Sequence, residues 1–241
     1  MEDCDILLMC YTPVRKKAID AAKNLKAIIK YGVGIDAIDI PAANQKGIVV
    51  VNIPEYADET VAEGAFAMLL ALAKKLPAIQ NQMNKSSWAW PSQQWLSQDI
   101  AGKILGIIGC GRIGGSMARM AGLGFRAKVI GYDPYKSQDE LSRNGIVKIE
   151  SLDSLLEQSD FISLHAVLNN ETQHIIGKEE LTKLKKSVII VNTARGALID
   201  EKALMETLER CAEVIDNRPV LIKSKDPRLM HQKQLNTLLV D

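Results

Sequence analysis

The chain has 241 residues, of which 47% are hydrophobic and 24% are charged. This balance is typical of a globular protein with one or two domains and excludes a disordered or collagen-like chain. The 30 Lys and Arg residues against 29 Asp and Glu residues leave a net charge of +1. Nothing in the charge therefore indicates nucleic acid or an anionic membrane as a partner.

Neither a membrane segment nor a cysteine framework is predicted. The longest apolar stretch, residues 65–73, is far shorter than the roughly 20 residues that span a bilayer. The first residues have no basic flank of the kind that opens a signal peptide. The four cysteines form no CxxC pair and no group with histidine, so we expect no metal site and no disulfides. We expect a cytoplasmic protein.

Short apolar runs alternate with helical stretches along the chain, which predicts an α/β fold with a parallel sheet. Most of the runs are continuously hydrophobic, as expected of strands that are covered on both faces. The predicted strands are residues 6–9, 27–29, 48–51, 104–108, 128–132, 161–164 and 188–191. Helices are predicted to begin near Thr60, Arg112, Ser151, Lys178 and Asp200.

The helix that begins near Thr60 is followed by a polar segment that contains all three tryptophans. Thr60 and Glu63 form a capping-box pattern ahead of an apolar run that ends at Leu72. The segment 80–98 is typical of a connecting arm. Its tryptophans (Trp88, Trp90 and Trp95) could line a ligand pocket, but anchors at a subunit interface are the favoured interpretation. We therefore expect a homodimer built on the helix of residues 60–76 and this arm.

The strongest local pattern is Gly109-Cys110-Gly111-Arg112-Ile113-Gly114, between a predicted strand and a predicted helix. In such a turn Gly109 permits a tight bend, Gly111 lets the backbone approach a pyrophosphate, and Gly114 allows close packing of helix on strand. The free amides and the dipole of the helix N-terminus favour phosphate groups. A plain glycine-rich turn is the alternative, and the flanking strand and helix favour a dinucleotide site.

An acidic residue stands where a dinucleotide site needs one. The next predicted strand ends just before Asp133, close to the ~20-residue spacing at which a carboxylate binds the adenosine ribose hydroxyls. A carboxylate there would repel a 2′-phosphate, so NAD(H) is predicted in preference to NADP(H). The structural alternative is that Asp133 is a turn residue ahead of Pro134.

The segment Val191-Asn192-Thr193-Ala194-Arg195-Gly196-Ala197-Leu198-Ile199-Asp200-Glu201 resembles the NAD-dependent D-2-hydroxyacid dehydrogenases. Further matches stand in the family's order along most of the chain, at residues 31–36, 52–54, 60–63, 109–114, 133–135 and 163–165. The arm and the turn at residues 133–135 are most similar to the branch of phosphoglycerate dehydrogenases and C-terminal binding proteins.

The resemblance implies a Rossmann-type doubly wound parallel sheet with a second, incomplete flavodoxin-like substrate domain. Residues 1–54 would form the partial substrate-binding lid, and residues 55–241 the NAD-binding domain, including the dimerisation helix and arm at 58–98. Two strand-plus-helix units of the family's lid and its returning C-terminal helix have no counterpart in the sequence. We therefore expect a fragment truncated at both ends, a degenerate copy, or a lid that another chain completes.

The resemblance also implies the residues for reducing a 2-oxo acid to a D-2-hydroxy acid with NADH. Arg195 would hold the substrate carboxylate and polarise the carbonyl, for which its planar guanidinium is suited. The backbone amides of Val33 and Gly34 would bind the same carboxylate. Arg112 and Ile113 would lie under the pyrophosphate. The nicotinamide side would be formed by Thr60, His165, Thr193 and Ala194, with Glu213 in place of the family's aspartate.

Several of these assignments have a simpler structural alternative. Arg195 is also compatible with an exposed charge ahead of a helix. Gly34 is equally compatible with a plain glycine turn after a strand. His165 is equally compatible with a hydrogen-bonded histidine at a strand end.

The sequence departs from the family at the proton donor, a histidine polarised by a glutamate that precedes a proline. Arg218 occupies the glutamate position, before Pro219. The family's histidine follows the next strand, predicted here at 235–240, and His231 before that strand is a poor substitute. General acid catalysis contributes ~10²–10⁴-fold, so we expect poor reduction of 2-oxo acids.

Three functions are compatible with these observations. An NAD-dependent oxidoreductase acting on the CH-OH group of a D-2-hydroxy acid explains most of the residues. A catalytically inactive NAD(H)-binding interaction or sensing protein is favoured by Arg218. A methyltransferase or another protein that uses a different nucleotide is disfavoured, because residues 192–196 would have no role there.

Overall fold

The computed structural model describes residues 3–88, 90, 92–214, 221–223 and 236–239. Its strands form a three-stranded sheet and a seven-stranded sheet. The chain divides into two units, which we call unit 1 (Met1–Asp58) and unit 2 (Glu59–Asp241). Each unit contains one of the two sheets.

Unit 1 is a small parallel α/β unit with the strand order β1-β2-β3. Its elements are β1 (Ile6–Met9), α1 (Lys16–Ala21), β2 (Ala27–Lys30), α2 (Ile40–Gln45) and β3 (Val49–Val51). The side chain of Asp39 caps α2 by accepting a hydrogen bond from the Ala42 amide at 3.0 Å. Leu8 and Val49 are exposed, so the expectation that both strand faces are covered is wrong for β1 and β3.

Unit 2 is a doubly wound sheet with the strand order β6-β5-β4-β7-β8-β10-β9. Its strands are β4 (Ile104–Ile108), β5 (Lys128–Tyr132), β6 (Val147–Lys148), β7 (Phe161–Leu164), β8 (Ile189–Asn192), β9 (Leu221–Lys223) and β10 (Asn236–Leu239). The first five run parallel, and β10 is antiparallel to both of its neighbours. The strand order reverses between β4 and β7, which is where such sheets bind ligands.

Helices cover both faces of this sheet. They are α3 (Asp58–Ala73), α5 (Arg112–Arg119), α6 (Gln138–Ser142), α7 (Leu152–Gln158), α8 (Lys178–Thr182) and α9 (Glu201–Val214). A further helix, α4 (Leu76–Ser86), follows α3 and has no buried residue. Ile107 packs into a core with α3 and α5, while its neighbour Ile108 packs into a second core with α7 and α9. This two-sided burial is the reason the strands are continuously hydrophobic. The predicted α/β class is confirmed.

The arm differs from the sequence-based prediction. Residues 80–86, which we predicted to be part of a connecting arm, belong to α4, and the helix near Thr60 begins at Asp58. Pro77 stands in the first turn of α4, where a missing amide hydrogen costs no helical bond. A short 3-10 turn (Gln93–Trp95) follows.

Within the described ranges, every helix is too short or too polar to cross a membrane. The cytoplasmic location expected from the sequence stays a prediction.

Candidate functional site

The loops after β4, β5 and β7 are joined by backbone contacts at the point where the strand order reverses. The Gly109 amide donates to the Tyr132 carbonyl at 3.0 Å, and the His165 amide donates to the Ile108 carbonyl at 2.8 Å. Gly109 has a φ of +89°, and a Cβ there would lie 2.4 Å from the Ala166 nitrogen. Only glycine therefore fits this position.

The other two glycines of the loop have different surroundings. A Cβ on Gly114 would lie 2.4 Å from the Gly109 carbonyl oxygen, so this glycine allows α5 to pack against the loop. A Cβ on Gly111 would meet no atom of the described residues within 4 Å. Gly111 precedes α5, and its position supplies no side-chain cap for the first amides of that helix. The open space and the uncapped amides suit an anionic ligand.

Asp133 ties the end of β5 to the glycine-rich loop. Its Oδ2 accepts a hydrogen bond from the Cys110 amide at 2.9 Å, and its Oδ1 accepts one from the Tyr135 amide at 3.0 Å. The second contact forms the turn that is expected if Asp133 is a turn residue ahead of Pro134. Each carboxylate oxygen can accept more than one hydrogen bond, so these contacts leave acceptor capacity for ribose hydroxyls.

The loop after β8 is shaped by Asn192, which is fully buried. Its Nδ2 donates to the Arg195 carbonyl at 2.8 Å, and its Oδ1 accepts from the Ala194 amide at 3.1 Å. The neighbouring Thr193 hydroxyl is buried and has no hydrogen-bond partner among the described residues. A buried hydroxyl in this state costs roughly 1–3 kcal/mol.

Arg195 is half-buried and extended in conformation, directly before a 3-10 turn (Gly196–Leu198). One of its contacts is a hydrogen bond of 2.8 Å from Nη1 to the Ala194 carbonyl. This contact bends the guanidinium back along its own loop.

His165 follows β7 and makes the hydrogen bond that its structural alternative predicts. Its Nε2 lies 2.9 Å from the Ser163 hydroxyl. Burial lowers the pKa of His165 to about 4, so the imidazole is neutral at pH 7. Burial also raises the pKa of the neighbouring loop's Cys110 thiol to about 12, so Cys110 is not a thiolate nucleophile.

A polar network that the sequence did not reveal joins α3 to α5. Glu59 Oε1 accepts hydrogen bonds from the Ser116 hydroxyl at 2.7 Å and from Arg119 Nη2 at 2.6 Å. Arg119 Nη1 also donates to Asn144 Oδ1 at 2.7 Å. The network fixes α5, the helix that begins at the glycine-rich loop. Next to it, Thr60 is exposed on the first turn of α3.

The remaining predicted residues are distributed along the chain. Arg112 is exposed at the start of α5, and Ile113 is half-buried against the core. Val33 and Gly34 belong to unit 1, where Asn52 Nδ2 donates to the Val33 carbonyl at 2.7 Å. Glu213 lies in the last turn of α9, but its side chain lies outside the described residues, as do Arg218 and His231.

Comparisons with known proteins identify relatives of this chain. Residues 66–212 match the family described as D-isomer specific 2-hydroxyacid dehydrogenase, NAD binding domain. The chain is 39% identical over 212 residues to a glyoxylate reductase of Korarchaeum cryptofilum, which covers 87% of the chain and 63% of that protein. It is 40% identical over 210 residues to a D-3-phosphoglycerate dehydrogenase of Methanocaldococcus jannaschii, covering 87% and 40%. The chain therefore spans less than two thirds of these relatives.

Solved structures give the same result. A D-lactate dehydrogenase from Aquifex aeolicus, complexed with NAD and lactic acid, superimposes with a TM-score of 0.81 at 38% identity over 87% of this chain and 62% of that one. An acyclic imino acid reductase in complex with NADPH and D-Arg gives 0.79 at 30% identity over 95% and 73%. One of these similar structures thus contains NAD and the other contains NADPH.

Proposed function

The chain belongs to the D-isomer specific 2-hydroxyacid dehydrogenase family, and on this premise we propose that it transfers a hydride between NAD(H) and a small 2-oxo or 2-hydroxy acid. The family match covers the NAD binding domain, which confirms the cofactor expected from the sequence. The observation that carries the proposal is the open space at Gly111, close to the carboxylate of Asp133. The unsatisfied Thr193 hydroxyl lies at the same carboxyl end of the parallel strands.

We assign the pyrophosphate to the loop between β4 and α5. Gly109 and Gly114 give this loop its shape, and Gly111 leaves room for the ligand. The amides of Arg112 and Ile113, at the start of α5, point their partial positive charge at the phosphates. Asp133 would accept hydrogen bonds from the adenosine ribose hydroxyls while it holds Cys110 in place.

We assign the nicotinamide end to the loops after β7 and β8. The Thr193 hydroxyl would gain there the partner that it lacks among the described residues. Ala194 and the neutral imidazole of His165 would pack beside the ring and ribose. The resemblance adds Thr60 and Glu213 to this side, and both assignments remain part of the proposal.

We assign the substrate carboxylate to Arg195. For the amides of Val33 and Gly34, which belong to unit 1, we keep the substrate-binding role that the resemblance implies. NADH, when bound, supplies the hydride. The cation of Arg195 would stabilise the negative charge that develops on the substrate oxygen, and its planar fork suits two-point binding of a carboxylate. Unit 1 is accordingly the proposed substrate-binding domain.

A second candidate function is NAD(H) binding with little turnover. It is favoured by one observation in the sequence, the cation of Arg218 in the position where the family has a glutamate. A cation there cannot raise the pKa of a histidine as a carboxylate does. In this case the chain would act as an interaction or sensing protein whose signal is the bound cofactor.

We further propose that the chain forms a homodimer through α3, α4 and the tryptophan arm. Trp88 and Trp90 are both exposed and pack edge to face with ring centroids 6.4 Å apart. Trp95 adds to the lining of a cavity between them and α4. Exposed aromatic residues of this kind are enriched at subunit interfaces.

The test measures NADH binding by fluorescence and NADH oxidation with a panel of glyoxylate, hydroxypyruvate and pyruvate. We expect Arg195→Ala to abolish any dependence of oxidation on the 2-oxo acid and to leave NADH binding within about threefold. Arg143→Ala, an exposed arginine at the end of α6, is the matched control and should change neither. Binding without oxidation supports the second candidate, and absence of NADH binding overturns both.

A further inference from the structure

The side chains of Tyr135 and Glu171 join two loops at the carboxyl edge of the larger sheet. Tyr135 lies in the loop after β5 and Glu171 in the loop after β7, and the Tyr135 hydroxyl donates a hydrogen bond to Glu171 Oε2. β5 and β7 are the two neighbours of β4. The bond therefore spans the strand that carries the glycine-rich loop, at the adenosine end of the proposed cofactor site.

Tyr135 is fixed to a residue of the proposed cofactor site, and Glu171 is fixed within its own loop. The Tyr135 amide donates to Asp133 Oδ1 at 3.0 Å, so the tyrosine is held by the proposed ribose-binding carboxylate. The Glu171 amide donates to Asn169 Oδ1 at 2.9 Å. The Glu171 carboxylate and, more weakly, the Asp133 carboxylate raise the pKa of the Tyr135 hydroxyl. The phenol thus lies in the electrostatic field of two carboxylates.

This inference rests on the proposed NAD(H) site and goes beyond Asp133. We propose that Glu171, held in place by Tyr135, is a second residue that selects NAD(H) over NADP(H). A 2′-phosphate would bring additional negative charge to the edge where both carboxylates lie, and Coulomb repulsion raises the free energy of that complex. Since Glu171 is exposed and water screens its charge, its effect is smaller than that of Asp133.

The division of roles between the two residues gives a specific expectation. Glu171 contributes the negative charge, and Tyr135 only holds the Glu171 side chain in position. The exposed hydrogen bond adds little to stability, so removing it should leave the fold intact. A similar structure contains NADPH, so the fold by itself does not decide the choice of cofactor.

The experiment compares three variants of the full chain with the wild type. Glu171→Gln removes the charge and keeps an acceptor for Tyr135, and Tyr135→Phe keeps the ring and removes the hydroxyl. Glu157→Gln changes the net charge equally on the exposed face of α7 and is the matched control. The affinities for NADH and NADPH are measured by fluorescence, and those for 5′-AMP and 2′,5′-ADP by competition.

We expect Glu171→Gln to lower the preference for NADH over NADPH, and for 5′-AMP over 2′,5′-ADP, by about threefold through the loss of one screened charge. NADH affinity should stay within about twofold, and the difference from wild type should shrink in 0.5 M NaCl. Tyr135→Phe should move the preference in the same direction by a smaller factor, because the carboxylate is then free to turn away.

Four outcomes would overturn the inference. An unchanged preference in Glu171→Gln, or an equal change in Glu157→Gln, would show that Glu171 does not select the cofactor and would leave the NAD(H) site standing. Equal losses of NADH and NADPH affinity would assign Glu171 a structural role instead. A wild-type chain that binds neither NADH nor 5′-AMP would overturn the proposed function and this inference with it.

Discussion

The carboxylate of Asp133 accepts a hydrogen bond from the backbone amide of Cys110 at 2.9 Å. This contact links the end of β5 to the middle of the glycine-rich loop, so one side chain both shapes the loop and faces the proposed ribose site. Loss of Asp133 is therefore expected to affect loop geometry and cofactor choice together.

The first prediction concerns cofactor choice. We expect the wild type to bind NADH at least tenfold more tightly than NADPH, a difference of about 1.4 kcal/mol. Asp133→Ala should remove most of this preference and weaken NADH binding, because the ribose acceptor and the Cys110 contact are both lost. Fluorescence titration with each cofactor measures this, with Glu157→Ala as the control. An Asp133→Ala chain with the wild-type preference would refute the assignment.

The second prediction separates two glycines of one loop. Gly111→Ala places its methyl group in open space and should leave the melting temperature nearly unchanged while it weakens NADH binding by tenfold or more, about 1.4 kcal/mol. Gly114→Ala places its methyl group 2.4 Å from the Gly109 carbonyl and should destabilise the fold by roughly 1–3 kcal/mol. Thermal unfolding with and without NADH distinguishes them. Equal loss of stability in both variants would contradict the open space at Gly111.

The sequence predicts those features of the site that depend on residues close together in the chain, and misses those that depend on contacts between distant elements. Gly109 and Gly114 are predictable because a positive φ and a close backbone approach leave no room for a Cβ. The network of Glu59, Ser116 and Arg119 is not predictable, because its partners come from distant helices and no spacing pattern encodes the contact.

The same reasoning applies to the fold. Residues 104–108 and 128–132 are predicted at their observed bounds because the interior positions of both strands are buried and apolar, although β5 begins with the exposed Lys128. The six-residue helices α1 and α2 are not predicted, since helices of fewer than two turns show little periodicity. The start of the similarly short α8 is nevertheless predicted correctly near Lys178. The unsatisfied Thr193 hydroxyl is a property of packing and has no signature in the sequence.

The third prediction tests that hydroxyl. Thr193→Val keeps the shape of the side chain and removes the buried polar atom, so the protein without cofactor should be stabilised by about 1 kcal/mol. The same change should weaken NADH binding, because the proposed partner is lost. Urea unfolding and NADH titration measure the two effects, and Thr193→Ser, which retains the hydroxyl, is the control. Stabilisation without any change in NADH affinity would remove Thr193 from the cofactor site.

The fourth prediction follows from His165, which is half-buried and whose pKa desolvation lowers from 6.5 to about 4. The unfolded chain takes up a proton near pH 6.5 and the folded chain does not, so stability is present above pH 6.5 and falls as the pH drops towards 4. The linked loss is at most about 3 kcal/mol.

Urea unfolding between pH 4 and pH 8 measures this slope. His165→Gln should lose most of the dependence in this window, while His174→Gln, an exposed histidine, should keep it. A wild-type stability that is flat from pH 6.5 to pH 4.5 would show that His165 titrates normally.

The last prediction concerns assembly. α3 is apolar over much of its length, and the arm that follows α4 leaves Trp88 and Trp90 exposed at 56% and 78%. Exposed aromatic surface of this extent is costly in water and is enriched where subunits meet. We therefore expect a dimer at micromolar concentration in sedimentation velocity. Trp90→Ser should weaken the dimer by at least tenfold, whereas Tyr135→Ser, also an exposed aromatic residue, should not. A wild-type monomer at these concentrations would refute the dimer proposal.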